Sequence, residues 1–147
     1  EFRGTVFRQT MFSEFERRIH ETVERGGALT AESLSGMYRE LNRSYFEPAV
    51  TVDEKVSLEW SRIPHFYMNF YVFQYSTGFC AAVALAKKVL AGEAGARERY
   101  LEFLSSGSKD YAINLLAKAG VDMNTKQPIL DALDVFEGLL DEIEGLV

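Results

Sequence analysis

The chain has 147 residues, with 16 Lys and Arg against 22 Asp and Glu, a formal net charge of −6. That length suits one domain burying about 70% of its unfolded surface, and 47% hydrophobic with 26% charged residues excludes a disordered chain. The acid excess, without a dense basic run, argues against nucleic acid as a partner. The single cysteine, Cys80, excludes a disulfide scaffold or a cysteine-rich zinc site and fits a cytoplasmic protein.

Phe2, Val6, Phe12, Phe15, Ile19 and Val23 recur at mostly three- and four-residue steps. They predict a helix that ends near Arg25, before Gly26 and Gly27. No capping residue precedes this periodicity and no Met opens the chain, so the chain is expected to be a piece of a longer protein. Its Phe-rich face is expected to need cover by missing helices, and in isolation to self-associate or to stay partly molten. Thr30 caps a predicted helix over 31–45 that turns Leu34, Met37, Tyr38 and Leu41 inward. Pro48 ends that region. Thr51 or Asp53 caps a short helix to Trp60, and Pro64 interrupts before a long helix predicted over 66–90. Short helices over 97–104 and 110–119 follow, separated by a Ser/Gly turn, and Gly120 closes the second. Pro128 opens a final helix to Leu146, with Leu133, Phe136, Leu140 and Ile143 at heptad-like spacing. Sustained period-two alternation, repeats and long linkers are all lacking. The fold class is therefore all-α, a single multi-helix segment over 1–147.

The stretch 63–86 has 24 residues without Lys, Arg, Asp or Glu, long enough to span a bilayer. Pro64, His65, Asn69, Gln74, Ser76 and Thr77 interrupt it, and its fully apolar part, 79–86, is only eight residues long. It reads as a buried helix with a polar face, with no membrane partner. The N-terminus shows no signal-peptide pattern.

Catalytic chemistry has few places to reside. His20-Glu21-Thr22-Val23-Glu24 looks like half of a helical zinc site, H-E-x-x-H, but Glu24 stands where the second ligand belongs. Arg17, Arg18 and Arg25 crowd the same helix, which reads as an ion-paired surface. With His65 the only other histidine, no ordinary three-ligand zinc set can be assembled from the histidines. Cys80 reads as a buried thiol acting as a small hydrophobe. The acidic residues of the last helix read as its solvated face, and no phosphate loop or G-x-S-x-G elbow occurs.

The segment 63–75 stands apart, with six aromatics between residues 66 and 75. On the predicted helix Tyr67, Tyr71 and Tyr75, spaced by four, share one face. His65 sits at its mouth, while Phe66, Phe70 and Phe73 point elsewhere and can enter the core. Two readings stay open on spacing alone. One is an aromatic core stripe with each hydroxyl satisfied at the rim. The other is a row of phenolic donors plus an imidazole, suited to a carbonyl oxygen that becomes an oxyanion.

The runs Phe7-Arg-Gln-Thr-Met-Phe-Ser-Glu-Phe-Glu16, Trp60-Ser-Arg-Ile-Pro-His-Phe-Tyr67 and Tyr71-Val-Phe-Gln-Tyr-Ser-Thr-Gly78 resemble the C-terminal part of the oligoendopeptidase F family. That family lies among the thimet-oligopeptidase-like zinc metallopeptidases, and the likeness runs over the whole chain. It implies an all-α, cleft-shaped enzyme that hydrolyses short peptides. In the family, zinc is held by H-E-x-x-H and a downstream Glu, and a later His and tyrosines stabilise the tetrahedral intermediate. The resemblance places those last roles on His65, Tyr71 and Tyr75, with Tyr67 a weaker match. The zinc motif is expected before Glu1, in a missing N-terminal part of the same enzyme, so this chain alone is expected to hold no zinc and to be inactive. Position 73 is Phe where the resemblance implies Tyr, but it lies off the proposed tyrosine face. The competing reading is a non-catalytic helical module that presents its Phe face and the 66–79 aromatics to a partner.

Overall fold

A computed structural model describes residues 1–146. Its regular structure, among the described residues, is helical throughout: a π-helical turn Arg3–Phe7, α1 (Arg8–Glu24), α2 (Ala31–Phe46), 3₁₀ stretches Glu54–Arg62 and Pro64–Tyr67, α3 (Phe73–Leu90), α4 (Ala96–Ser105), α5 (Ala112–Lys118) and α6 (Gln127–Glu144). The all-α expectation holds. No described helix is long and apolar enough to cross a membrane. The chain divides into two compact units, Glu1–Ser76 and a second beginning at Thr77.

In the first unit, local sequence signals set both ends of the α1–α2 connection. Gly26 takes φ +80, its N–H bonds Val23 O, and Gly27 N–H bonds Thr22 O. These two bonds satisfy carbonyls that the end of α1 leaves free, in a conformation that favours glycine. Thr30 then caps α2: its hydroxyl accepts from Ser33 N–H, and the Ser33 hydroxyl accepts from Thr30 N–H. Such a cap is worth about 1 kcal/mol. Asp53 accepts from Lys55 N–H and opens a 3₁₀ stretch where a short helix was predicted.

Met11, Phe12 and Phe15 of α1 and Tyr38 and Leu41 of α2 form the core of this unit, with Ile63 and Val72. Phe15 meets Tyr38 edge-on at 5.2 Å, and Phe66 lies 5.3 Å from Phe12 and 5.0 Å from Phe15. The Phe-rich face of α1 is thus covered by its own chain, contrary to the expectation that it needs missing helices or a second copy. Phe2 and Val6 are buried too, and only Val23, at the far end, stands largely exposed. Glu59 ties the elements together. Its Oε1 accepts from Arg8 (2.7 Å) and Arg62 (2.5 Å), and its Oε2 from the hydroxyl of fully buried Tyr38 (2.8 Å).

The second unit centres on Ala81, Ala84 and Leu85 of α3, with Ala119 and Val121. Tyr100, Phe103, Leu116 and Met123 pack around them. Gly120, at φ +93, closes α5 as Gly26 closes α1: its N–H bonds Ala117 O, and the N–H of buried Val121 bonds Leu116 O. Lys87 of α3 pairs with Asp131 of α6 at 3.2 Å. Pro128 and Ala132 of α6 are buried, but Leu140 and Ile143, two of the residues at heptad-like spacing, are exposed. Cys80 is buried, as predicted, and desolvation raises its thiol pKa.

Candidate active site

The aromatic segment folds differently from its spacing. α3 begins at Phe73, not at Phe66, so Tyr67, Tyr71 and Tyr75 do not lie along one helical face. Pro64 starts a single 3₁₀ turn that ends at Tyr67. The backbone then enters the left-handed region at two consecutive non-glycine residues, Asn69 (φ 35) and Phe70 (φ 57). At Phe70 such a conformation costs about 1–2 kcal/mol, whereas Asn tolerates it better, and it persists where the surroundings hold it. Here α1 contacts the turn. Phe70 N–H donates to Glu16 Oε1 at 2.6 Å, and the His20 ring lies 4.3 Å from the Phe70 ring. Glu16 is 2% exposed, and Val72, two residues beyond Phe70, is fully buried.

This turn brings three predicted residues together. His65 and Tyr71 stack at 5.7 Å with ring planes 6° apart. Tyr75, in the first turn of α3, meets both rings edge-on, at 5.4 Å from His65 and 5.6 Å from Tyr71. The Tyr75 hydroxyl is 3.2 Å from His65 Nε2. Tyr67 does not join them: it is 73% exposed, and its hydroxyl donates to Ser61 O at 3.3 Å. Of the three phenylalanines assigned to the core, Phe66 is there, whereas Phe70 and Phe73 are about half exposed.

Tyr71 and Tyr75 keep 38% and 39% of their surface accessible, so a ligand can reach the cluster. The Tyr71 hydroxyl beside it, and then desolvation, raise the Tyr75 phenol above its ordinary value. Tyr75 therefore keeps its proton at neutral pH and can donate it in a hydrogen bond. What it donates to depends on His65. With Nε2 protonated, the imidazole donates to the Tyr75 oxygen, and the Tyr75 O–H turns to the Tyr71 oxygen or to a ligand. With Nε2 bare, Tyr75 donates inward instead.

Among the described residues no group of three His, Cys, Asp or Glu is placed to hold a metal ion. The surface around His20 is ion-paired as predicted, through Arg17–Glu21 and Arg25–Glu21. What the sequence did not reveal is that Glu16 and His20 grip the 69–70 turn. They lie 54 and 50 positions before Phe70, and no local pattern links them. The second unit carries an apolar cavity of about 540 Å³ between α3, α4 and α5, lined by Ala81, Leu85, Tyr100, Phe103 and Leu116, without a charged side chain.

Comparison with known proteins agrees with this organisation. The sequence model described as Peptidase family M3 matches residues 2–135. Oligopeptidase PepF of Bacillus subtilis is 51% identical over 146 residues, which are 99% of this chain and 22% of the relative. The plasmid-encoded oligoendopeptidase F of Lactococcus lactis subsp. cremoris is also 51% identical over 146 residues, 24% of its length. The crystal structure of oligoendopeptidase-F from Enterococcus faecium superposes with a TM-score of 0.96 at 54% identity, covering 99% of this chain and 28% of that one. The chain thus spans about a quarter of the length of the relatives it matches.

Proposed function

The chain belongs to peptidase family M3, and from that premise we propose that it is the C-terminal part of an oligoendopeptidase catalytic domain. The whole protein is then a cytoplasmic, zinc-dependent peptidase that hydrolyses peptide bonds in short peptides. The chain's share of the work is to stabilise the tetrahedral intermediate through His65, Tyr71 and Tyr75. Zinc ligands are assigned to the part of the protein outside this chain, because the described residues offer no metal site.

The observation that carries this reading is the ring cluster, with its 3.2 Å contact between His65 Nε2 and the Tyr75 hydroxyl. Attack on a scissile carbonyl turns its oxygen into an oxyanion. Donors that already point at that position stabilise the new charge without rearranging, and they act most strongly where water is scarce. In the tautomer with a proton on Nε2, His65 holds the Tyr75 oxygen, and the Tyr75 O–H can turn from Tyr71 to the substrate. Tyr71, stacked on His65, limits the ring to one plane and offers a second phenol.

The test is Tyr71→Phe and Tyr75→Phe in the full-length peptidase, assayed on a quenched fluorescent peptide. Each change keeps the ring and deletes the donor. At least one should lower kcat by about 100-fold, the size of one oxyanion donor, with KM nearly unchanged. Wild-type kcat in both would return the cluster to ordinary packing.

A further inference from the structure

Glu16 and Asn42 are the buried polar residues of the described chain, and Glu16 is the more enclosed. A carboxyl is costly to bury without partners. Among the described residues Glu16 forms no ion pair, and its hydrogen bond goes to the main chain of Phe70 at 2.6 Å. It sits on α1 one position beyond core residue Phe15 and four beyond Phe12, so its own place is rigid. Four residues further along α1, His20 covers the Phe70 ring. Two side chains of one anchored helix therefore grip one residue, and that residue has φ 57. Tyr71 follows it directly.

We propose that Glu16 is a positioning residue: by accepting the Phe70 N–H it holds the left-handed turn at Asn69 and Phe70, and so sets Tyr71 against His65. Without that acceptor Phe70 relaxes toward the right-handed region. The peptide plane between Phe70 and Tyr71 then rotates, and the 6° stack with His65 is lost. Misplacing a catalytic group by about 1 Å can lower a rate by about 100-fold. The effect on rate rests on the donor role proposed above for the cluster. The effect on geometry does not.

The experiment uses the full-length peptidase with Glu16→Gln, Glu16→Asp and Glu16→Leu. Gln keeps a carbonyl oxygen at the same reach. Asp keeps the carboxyl but falls short by one methylene, about 1.5 Å, the length of one carbon–carbon bond. Leu removes the acceptor. Two readouts are taken: kcat and KM on the fluorescent peptide, and the ring resonance of His65 in protein carrying labelled histidine, assigned by its loss in His65→Gln. Asp and Leu should move the His65 resonance toward that of a free imidazole and lower kcat by about 100-fold with KM retained. Gln should leave both near wild type. Adding Phe70→Gly to Glu16→Asp should restore part of the resonance shift, because glycine takes φ near +57 without strain. An unchanged His65 resonance in a folded Asp or Leu variant overturns the proposal. So does loss of folding in both, which would make Glu16 a residue of the core alone. A moved resonance with wild-type kcat supports the positioning role and overturns the donor reading of the cluster.

Discussion

Replacing Glu59 by Ala tests whether one carboxylate holds the scaffold beneath the candidate site. The largest consequence falls on Tyr38, whose hydroxyl is fully buried and donates to Glu59 Oε2 at 2.8 Å. An orphaned buried hydroxyl costs about 1–3 kcal/mol. Arg8 and Arg62 also lose an acceptor, but both reach water, so each contributes about 0–1 kcal/mol. Glu59→Ala should therefore destabilise the first unit by about 3 kcal/mol. In a Tyr38→Phe background, where no hydroxyl is left to orphan, the same change should cost only about 1 kcal/mol. The reporter is at hand. Trp60, the single tryptophan, adjoins Glu59 and donates to Ser35 Oγ at 3.1 Å, so its fluorescence during urea unfolding follows this unit. Equal costs in the two backgrounds would refute the Tyr38–Glu59 hydrogen bond as the source. A pH arm adds a sign. Burial alone would raise the Glu59 carboxyl, but Tyr38, Arg8 and Arg62 outweigh it and hold it below the ordinary glutamate value. Its contribution is then complete above the unfolded pKa of about 4.3 and is lost as pH falls through the lower folded value. The stability gap between wild type and Glu59→Ala should close in that acid window.

Phe15→Ala, at a site 1% exposed between Tyr38 and Phe66, should lower stability by about 3–5 kcal/mol in the same unfolding assay. Tyr67→Phe in the full-length peptidase should leave kcat at its wild-type value, because Tyr67 is bound to Ser61 and lies outside the ring cluster; a loss like that of Tyr75→Phe would contradict this. Lys118, with Asn114 and the Tyr111 N–H, holds the Asp110 carboxyl at about 2. Carbon-detected NMR titration should find it there, and Lys118→Met should move it up toward the ordinary value.

Helix ends were legible wherever a single residue type dictates the backbone. Thr30, Gly26, Gly120 and Pro128 each mark a boundary that the structure keeps, because capping and left-handed turns depend on local chemistry. The start of α3 was not legible for the same reason. Nothing between Tyr67 and Phe73 is a Gly or Pro, and the aromatic spacing there is compatible with a helix. The left-handed turn that replaces it is imposed from α1 by Glu16, 54 residues away. The grouping of His65, Tyr71 and Tyr75 was thus anticipated for a wrong reason: a turn gathers them, where four-residue periodicity was expected to. The Phe-rich face of α1 misled in the opposite direction. Its periodicity correctly marked burial, but the aromatics that cover it, Tyr38 and Phe66, come from later in the same unit.

The choice of Asn69 and Phe70 at a left-handed turn has a bearing on ligand binding. Two glycines would take the same dihedral angles without strain, but they would also leave the unfolded and free states many more conformations. Asn and Phe accept a standing strain in the folded chain and, in exchange, a narrower range of alternatives. A ligand that reaches the rings of His65, Tyr71 and Tyr75 would meet a loop that is already ordered, so its association would carry little loop-ordering entropy. That cost has been transferred to folding, where the packing of α1 against the core offsets it. Affinity at these rings is consequently tied to the stability of α1. A core substitution far from the rings that loosens this helix should weaken ligand association before it unfolds the chain.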